Sequence, residues 1–178
     1  MGVMPNDTSH PVAPATPQLG HYEIDPGSSR ISFRTRHMFG LAPVRGTFAI
    51  RSGIVDVAEP VAQSRIHAEI DAASFRTNNP MRDTRVKSAR FLDVRRYPVL
   101  TFTAQHVDFE GKVIDGTLTV GEVTRPVSLA VSEFDATRQA LTARGSVLID
   151  RFDFGLTASR GLAGRRLDMS VEIQCLRK

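Results

Sequence analysis

Three histidines set in alternating segments, His37, His67 and His106, and a single cysteine, Cys175, are the side chains of this sequence best suited to holding a metal or activating a nucleophile. His37 and His106 fall on the apolar parity of their segments, whereas His67 falls on the polar parity. No H-x-H or H-E-x-x-H spacing occurs, so a metal site would need side chains converging from separate strands. One cysteine excludes an intramolecular disulfide and a thiolate-rich zinc site. Cys175 also keeps step with Leu167, Met169, Val171 and Ile173, as a small buried apolar residue would. Neither a G-x-S-x-G elbow nor a glycine-rich phosphate loop is present.

Asp83, Asp115, Asp150 and Asp153 are scattered at turns and strand ends, where carboxylates commonly accept hydrogen bonds from backbone amides. They form no paired acid and base in the sequence. Arg151 continues the parity of Val147 and Ile149 and points inward if no bulge intervenes. An inward guanidinium needs an acceptor, because an unpaired buried charge costs several kcal/mol. Two readings stay open: an arginine just past the strand end paired with an aspartate, or one that recognises a ligand's head. His37 has two readings of the same kind, contact with a ligand headgroup or a structural hydrogen bond to a neighbouring loop.

The elements that would position these groups are short alternating segments separated by turn signals, the pattern of an antiparallel sheet with one buried face. In "RISFRTRHMFG", Ile31, Phe33, Thr35 and His37 share one side. In "VRGTFAI" Val44, Gly46, Phe48 and Ile50 do so, and in "SRIHAEID" Ile66, Ala68 and Ile70. Further on, Leu100, Phe102 and Ala104 face Ile114, Gly116, Leu118 and Val120 across a hairpin signal at Glu110-Gly111. Three more apolar registers follow, on Val127 to Val131, Leu141 to Ile149 and Leu167 to Cys175. Pro26-Gly27 suits the centre of a type II turn. Residues 77 to 98 alone lack a period of two; there Asn79 as N-cap and Pro80 at the first helical position predict one short helix over about 80 to 91. About eight strands without helical crossovers predict an all-β, closed antiparallel barrel.

A chain of 178 residues is long enough for one well-buried core and gives no reason to expect two domains. The Pro-, Ala- and Thr-rich start, residues 1 to 20, reads as a disordered leader, with the barrel domain over 21 to 178. It has neither the basic start nor the apolar run of a secretory signal, and no window is apolar enough to span a membrane, which predicts a cytoplasmic protein. The net charge of +4 is spread among 23 basic and 19 acidic side chains, as on a solvated mixed surface. Phe33, Phe48 and Phe102 lie on inner parity rather than exposed among the arginines, which counts against a nucleic-acid-binding barrel.

Four stretches in order, "IDPGSSRISFRTRHMFGLAPVRGTF", "IDAASFRTNNPMRDTRVKSARFLDVRRYPVLTF", "GTLTVGEVTRPVSL" and "IDRFDFGL", resemble successive motifs of the YceI-like polyisoprenoid-binding family over about residues 21 to 176. The resemblance implies a single eight-stranded lipocalin-like barrel with a short helical insertion. It implies non-enzymatic binding, storage or transport of a long isoprenoid, a polyprenyl phosphate or isoprenoid quinone, with no cofactor beyond that lipid. A homodimer and a transient membrane contact are further expectations. The cavity residues expected on this basis, together with inner parity, are Phe33, Thr35, His37, Phe48, Phe102, His106, Leu118, Val147, Arg151 and Phe154. An enzyme using His37 or His106 as base on a hydrophobic substrate, and a basic nucleic-acid barrel, are the alternatives.

Strands of about nine residues span roughly 30 Å, enough to enclose an extended tail. Small inner residues such as Gly46, Ala68, Ala104, Gly116 and Gly145 would leave room for it, unless large facing residues fill the gaps. Burying about ten methylene groups contributes roughly 8 kcal/mol before ordering costs, near a micromolar dissociation constant.

Overall fold

The computed structural model describes residues 16–178. Most of the expected leader lies outside those residues, but its last part is tied to the barrel. Pro17 is buried, Gln18 accepts a hydrogen bond from the Tyr22 hydroxyl at 2.9 Å, and Arg177 donates to the Gln18 side chain at 2.7 Å.

Nine antiparallel strand segments build one closed barrel: β1 (Gly20–Ile24), β2 (Arg30–His37), β3 (Ala42–Val57), β4 (Arg65–Arg76), β5 (Val99–Asp108), β6 (Val113–Val120), β7 (Val123–Ala136), β8 (Ala140–Asp150) and β9 (Arg166–Arg177). They occupy eight positions around the wall. β1 and β2 succeed one another between β3 and β9, β1 pairing with Ile54 to Val57 and β2 with Ala42 to Phe48. β3 pairing with β4 closes the circuit and leaves no open edge along the wall.

The Pro26-Gly27 segment is therefore a break within one position, not a reversal. Ser28 N–H donates to the Asp25 carbonyl at 3.3 Å, yet Gly27 lacks the positive φ that a type II turn demands, which corrects that expectation. The Asp25 carboxylate accepts from Ser28 Oγ at 2.7 Å and Gly27 N–H at 3.0 Å, and these bonds hold its pKa below the usual value.

The helix α1 spans Pro80–Lys87, shorter than expected. Asn79 caps it, accepting from Arg82 N–H at 3.0 Å. It stops at Ser88, whose hydroxyl donates to the Arg85 carbonyl at 2.7 Å while its backbone turns extended. The chain to Tyr97 then runs in turns, with Leu92 buried among the barrel residues.

Inward parity follows the alternation along each strand except where a bulge resets it. In β3 the pairing passes from Ile50↔Ile70 to Ser52↔Glu69, so one extra residue is inserted and Gly53, Val55 and Val57 turn inward beyond it. In β5 it passes from Ala104↔Gly116 to His106↔Asp115, which leaves Gln105 as the extra residue and throws His106 onto the outer face. His106 is exposed, so the expectation that it faces the cavity is corrected.

Candidate functional site: two chambers in one barrel

Two chambers open from opposite ends of the wall. The larger, about 700 Å³, is reached past the starts of β3, β5 and β9 and the ends of β2, β6 and β8. The smaller, about 350 Å³, lies at the other end, among Val55, Ile66, Ile114, Leu141, Ile173 and Cys175. Between them comes a layer of inward residues that line neither chamber, with Ile50 and Ala68 buried and Phe102 and Val171 packed against the core. The barrel is thus neither hollow throughout nor filled.

Phenylalanine supplies one wall of the larger chamber. Phe33, Phe48 and Phe75 meet with ring centroids 5.4 to 5.9 Å apart. The inner glycines explain how such rings fit. A Cβ on Gly46 would collide with the Phe33 ring and lie 2.7 Å from the Arg76 carbonyl oxygen. One on Gly116 would sit 2.8 Å from the ring of Phe102, and one on Gly145 would sit 3.2 Å from Leu129 Cγ. These glycines make room for neighbouring side chains, so the expectation that they leave room for a tail is corrected. The space arises instead under the long connections at this end, the segments 77–98 and 151–165.

α1 covers the opening with Met81, Arg82, Arg85 and Val86, the i, i+1, i+4, i+5 face of one helix. That spacing was readable in the sequence, but nothing there said what the face would cover. Phe91, Leu92, Leu156 and Leu162 also line the chamber from irregular segments with no period to betray them.

The polar groups gather at this same end. Thr35 lines the chamber, but its hydroxyl donates to the Arg166 carbonyl at 2.6 Å and so fastens β2 to β9. His37, half-buried at the end of β2, also lines it. Its ring has no hydrogen-bond partner among the described residues, so the structural bond to a neighbouring loop is not formed.

Arg151 follows the end of β8 and begins a single 3-10 turn, Arg151–Phe154. The residue is nevertheless buried, with 6 % of its surface exposed. Nε donates to Gly164 O at 2.7 Å, Nη2 to Ala163 O at 3.1 Å and Nη1 to Leu156 O. The rings of Phe152 and Phe91 lie 4.9 and 5.6 Å from its guanidinium carbon. Burial pushes its pKa down, with the charge of Asp150 working in the opposite direction. The aspartate pairing read from the sequence is corrected: Asp150 caps Phe152 N–H at 3.0 Å and pairs with Arg165 at 2.7 Å. Among the described residues no carboxylate lies within 4.0 Å of Arg151, and its cation borders the chamber held directly by three carbonyl oxygens and two aromatic faces.

Of the ten side chains expected in the cavity, Phe33, Thr35, His37, Phe48, Leu118, Arg151 and Phe154 line the larger chamber. Phe102 belongs to the dividing layer, Val147 lines neither chamber and His106 is outside. With His106 on the outer face, only His37 of the two histidines named as a base lines the chamber. Among the described residues no three His, Cys, Asp or Glu side chains converge as a metal site would require.

Closed barrel, covering helix and apolar chamber correspond to a known family. The YceI-like domain matches residues 22–175, and the chain belongs to that family. Protein YceI of Salmonella arizonae is 30 % identical over 166 residues, covering 86 % of this chain and 85 % of its own. Among solved structures, a polyisoprenoid binding domain from Saccharophagus degradans superimposes with a TM-score of 0.69 at 15 % identity, covering 90 % of this chain and 100 % of its own. Burkholderia cenocepacia BcnA gives 0.68 at 20 % identity, with coverage of 85 % and 98 %. At these identities the structural likeness establishes the lipocalin-like fold.

Proposed function

We propose that the protein binds a long-chain isoprenoid lipid, a polyprenyl phosphate or an isoprenoid quinone, without catalysing its conversion, and stores or carries it. The observation that carries this reading is the larger chamber: about 700 Å³, walled by apolar side chains, with Thr35, His37, Arg82, Arg85 and Arg151 gathered at one end. Its volume lies within the range of sites that bury most of a small ligand, roughly 300 to 1,000 Å³. The tail would lie against Phe33, Phe48, Leu118 and Phe154, where removing apolar surface from water supplies the affinity. The headgroup would sit toward Arg151 and His37, whose part is orientation and choice of head. Family membership and the polyisoprenoid-binding domain among the structural neighbours support the same ligand class.

A tail taken from a bilayer leaves one apolar surrounding for another, so the exchange is close to balanced. That suits a carrier or reservoir. Extraction of the purified protein with organic solvent, followed by mass spectrometry, tests the reading. Stoichiometric recovery of an isoprenoid is expected. A clean protein that also refuses quinones and polyprenyl phosphates would sink it.

A further inference from the structure

The opening of the larger chamber is ringed by side chains that belong in an apolar medium. Phe39 and Leu41, in the connection from β2 to β3, are 81 % and 82 % exposed, and Met81 on α1 is 85 % exposed. Met38 and Leu162 stand beside them, each more than half exposed. Eight large hydrophobic side chains are exposed among the described residues, and five of the eight stand at this one opening. A scattered exposed leucine needs no explanation, whereas clustering of this kind around a cavity does.

Their presentation is built, not incidental. Met38 N–H donates to Leu162 O at 3.0 Å and Phe39 N–H to Gly161 O at 2.7 Å, so two loops far apart in sequence form one rim. Met38 and Phe39 both hold a positive φ, 51° and 55°, a conformation costly for residues that carry a Cβ. The Phe39 ring lies over Gly161, where any Cβ would strike it. Gly161 itself has a φ of 76°.

Cations stand around the same rim. Arg82 and Arg85 line the opening, Arg36 donates to Gly40 O at 3.3 Å, and Arg160 stacks 5.3 Å from the centre of Phe152. None of the four has a carboxylate within 4.0 Å among the described residues. The acidic groups nearby are engaged elsewhere: Asp83 accepts from Thr77 N–H and Oγ1 at 2.9 and 2.6 Å, and Asp150 pairs with Arg165. Asp153 is exposed close by, as is Asp168 near the start of β9.

The geometry points to this rim as a docking surface for an anionic lipid bilayer, with Phe39, Leu41 and Met81 entering the acyl boundary and the arginines meeting the headgroups. The inference rests on the proposed lipid ligand. It adds that loading takes place at the membrane, through an opening whose own residues keep water from the tail during transfer. Apolar side chains flanked by cations are what interfacial binding requires, and both contributions grow with anionic lipid. A protein partner would account for the apolar rim but not for its continuity with an apolar chamber.

The test is sedimentation of the full chain with vesicles of phosphatidylcholine alone or mixed with phosphatidylglycerol. Binding is expected to the mixed vesicles, weakening as salt screens the headgroups. The variant carrying both Phe39→Glu and Leu41→Glu, side chains that do not line the chamber, is expected to bind about tenfold more weakly or worse. Arg160→Gln should weaken binding by about fivefold. In parallel, the same proteins are offered the polyprenyl phosphate or quinone from detergent micelles. Uptake from detergent that is unchanged in the double variant, with uptake from vesicles lost, supports docking and also shows that the variant folds. Failure to sediment with either vesicle, or equal sedimentation of wild type and double variant, overturns docking. Failure of wild type to take up either lipid from detergent would instead count against the proposed ligand itself.

Discussion

The two ends of the barrel share one wall and differ in almost everything that caps it. At the larger chamber two of the connections are long, 77–98 and 151–165, and bring Arg82, Arg85 and Arg151 to the opening. At the smaller chamber the connections are short, 109–112 and 137–139 among them, and the charged lining is mainly acidic, Asp108, Glu110 and Glu133 beside Lys112. Pro17 packs there as well, and Cys175 is fully buried. Strand alternation makes an apolar interior at either end, whereas the loops decide how large each chamber is and which charges stand at its mouth.

The sharpest way to break that contrast is Arg151→Met. It removes the guanidinium and strands the carbonyls of Leu156, Ala163 and Gly164 in a buried setting. The expected loss is about 3 kcal/mol of stability from buried acceptors left unsatisfied, read as a shift in the urea midpoint, with the 155–165 segment becoming the first to exchange its amide hydrogens. Next comes Phe102→Ala in the dividing layer. It should cost about 3 kcal/mol and join the two chambers, so that competition with polyprenols of graded length shows a longer preferred tail than in wild type. An unchanged length preference would mean that the layer does not limit the ligand.

Smaller effects are expected at the other end. Ser64 is buried and its hydroxyl accepts from Ala58 N–H at 3.1 Å, so Ser64→Ala should cost about 1 kcal/mol and leave lipid uptake unaltered. Burial pushes the Cys175 thiol from 9.0 up to about 12. The folded state therefore favours the neutral thiol, and its stabilising contribution is complete below pH 9.0 and is lost as pH rises toward about 12. Unfolding midpoints measured across that window should fall more steeply in wild type than in Cys175→Ala. At pH 8 the folded thiol should resist alkylation until the barrel is unfolded.

Particular residues show where sequence reading succeeds and stops. Asn79 caps α1 because its side chain bonds an amide three residues on, a local event that spacing alone reveals. The inward sets Val44 to Ile50 and Leu141 to Ile149 follow a period of two, which is likewise local. His106 escaped the same reasoning because the Gln105 bulge is defined by pairing with β6, and nothing in "AQHVD" marks it. α1 ends earlier than its spacing predicts because Ser88 and the turns beyond it follow contacts that the stretch does not encode by period.

What the sequence by itself determined is the alternation that makes a closed antiparallel barrel, the capped start of its helix and the family to which both belong. Only the tertiary structure decided that glycines admit neighbouring rings, that a layer including Phe102 separates two chambers, and that Arg151 is held by carbonyls and not by a carboxylate. The physical reason is range. Alternation and capping depend on residues a few positions apart, whereas a cavity is what remains after strands distant in the chain have paired and their side chains have filled one another's gaps.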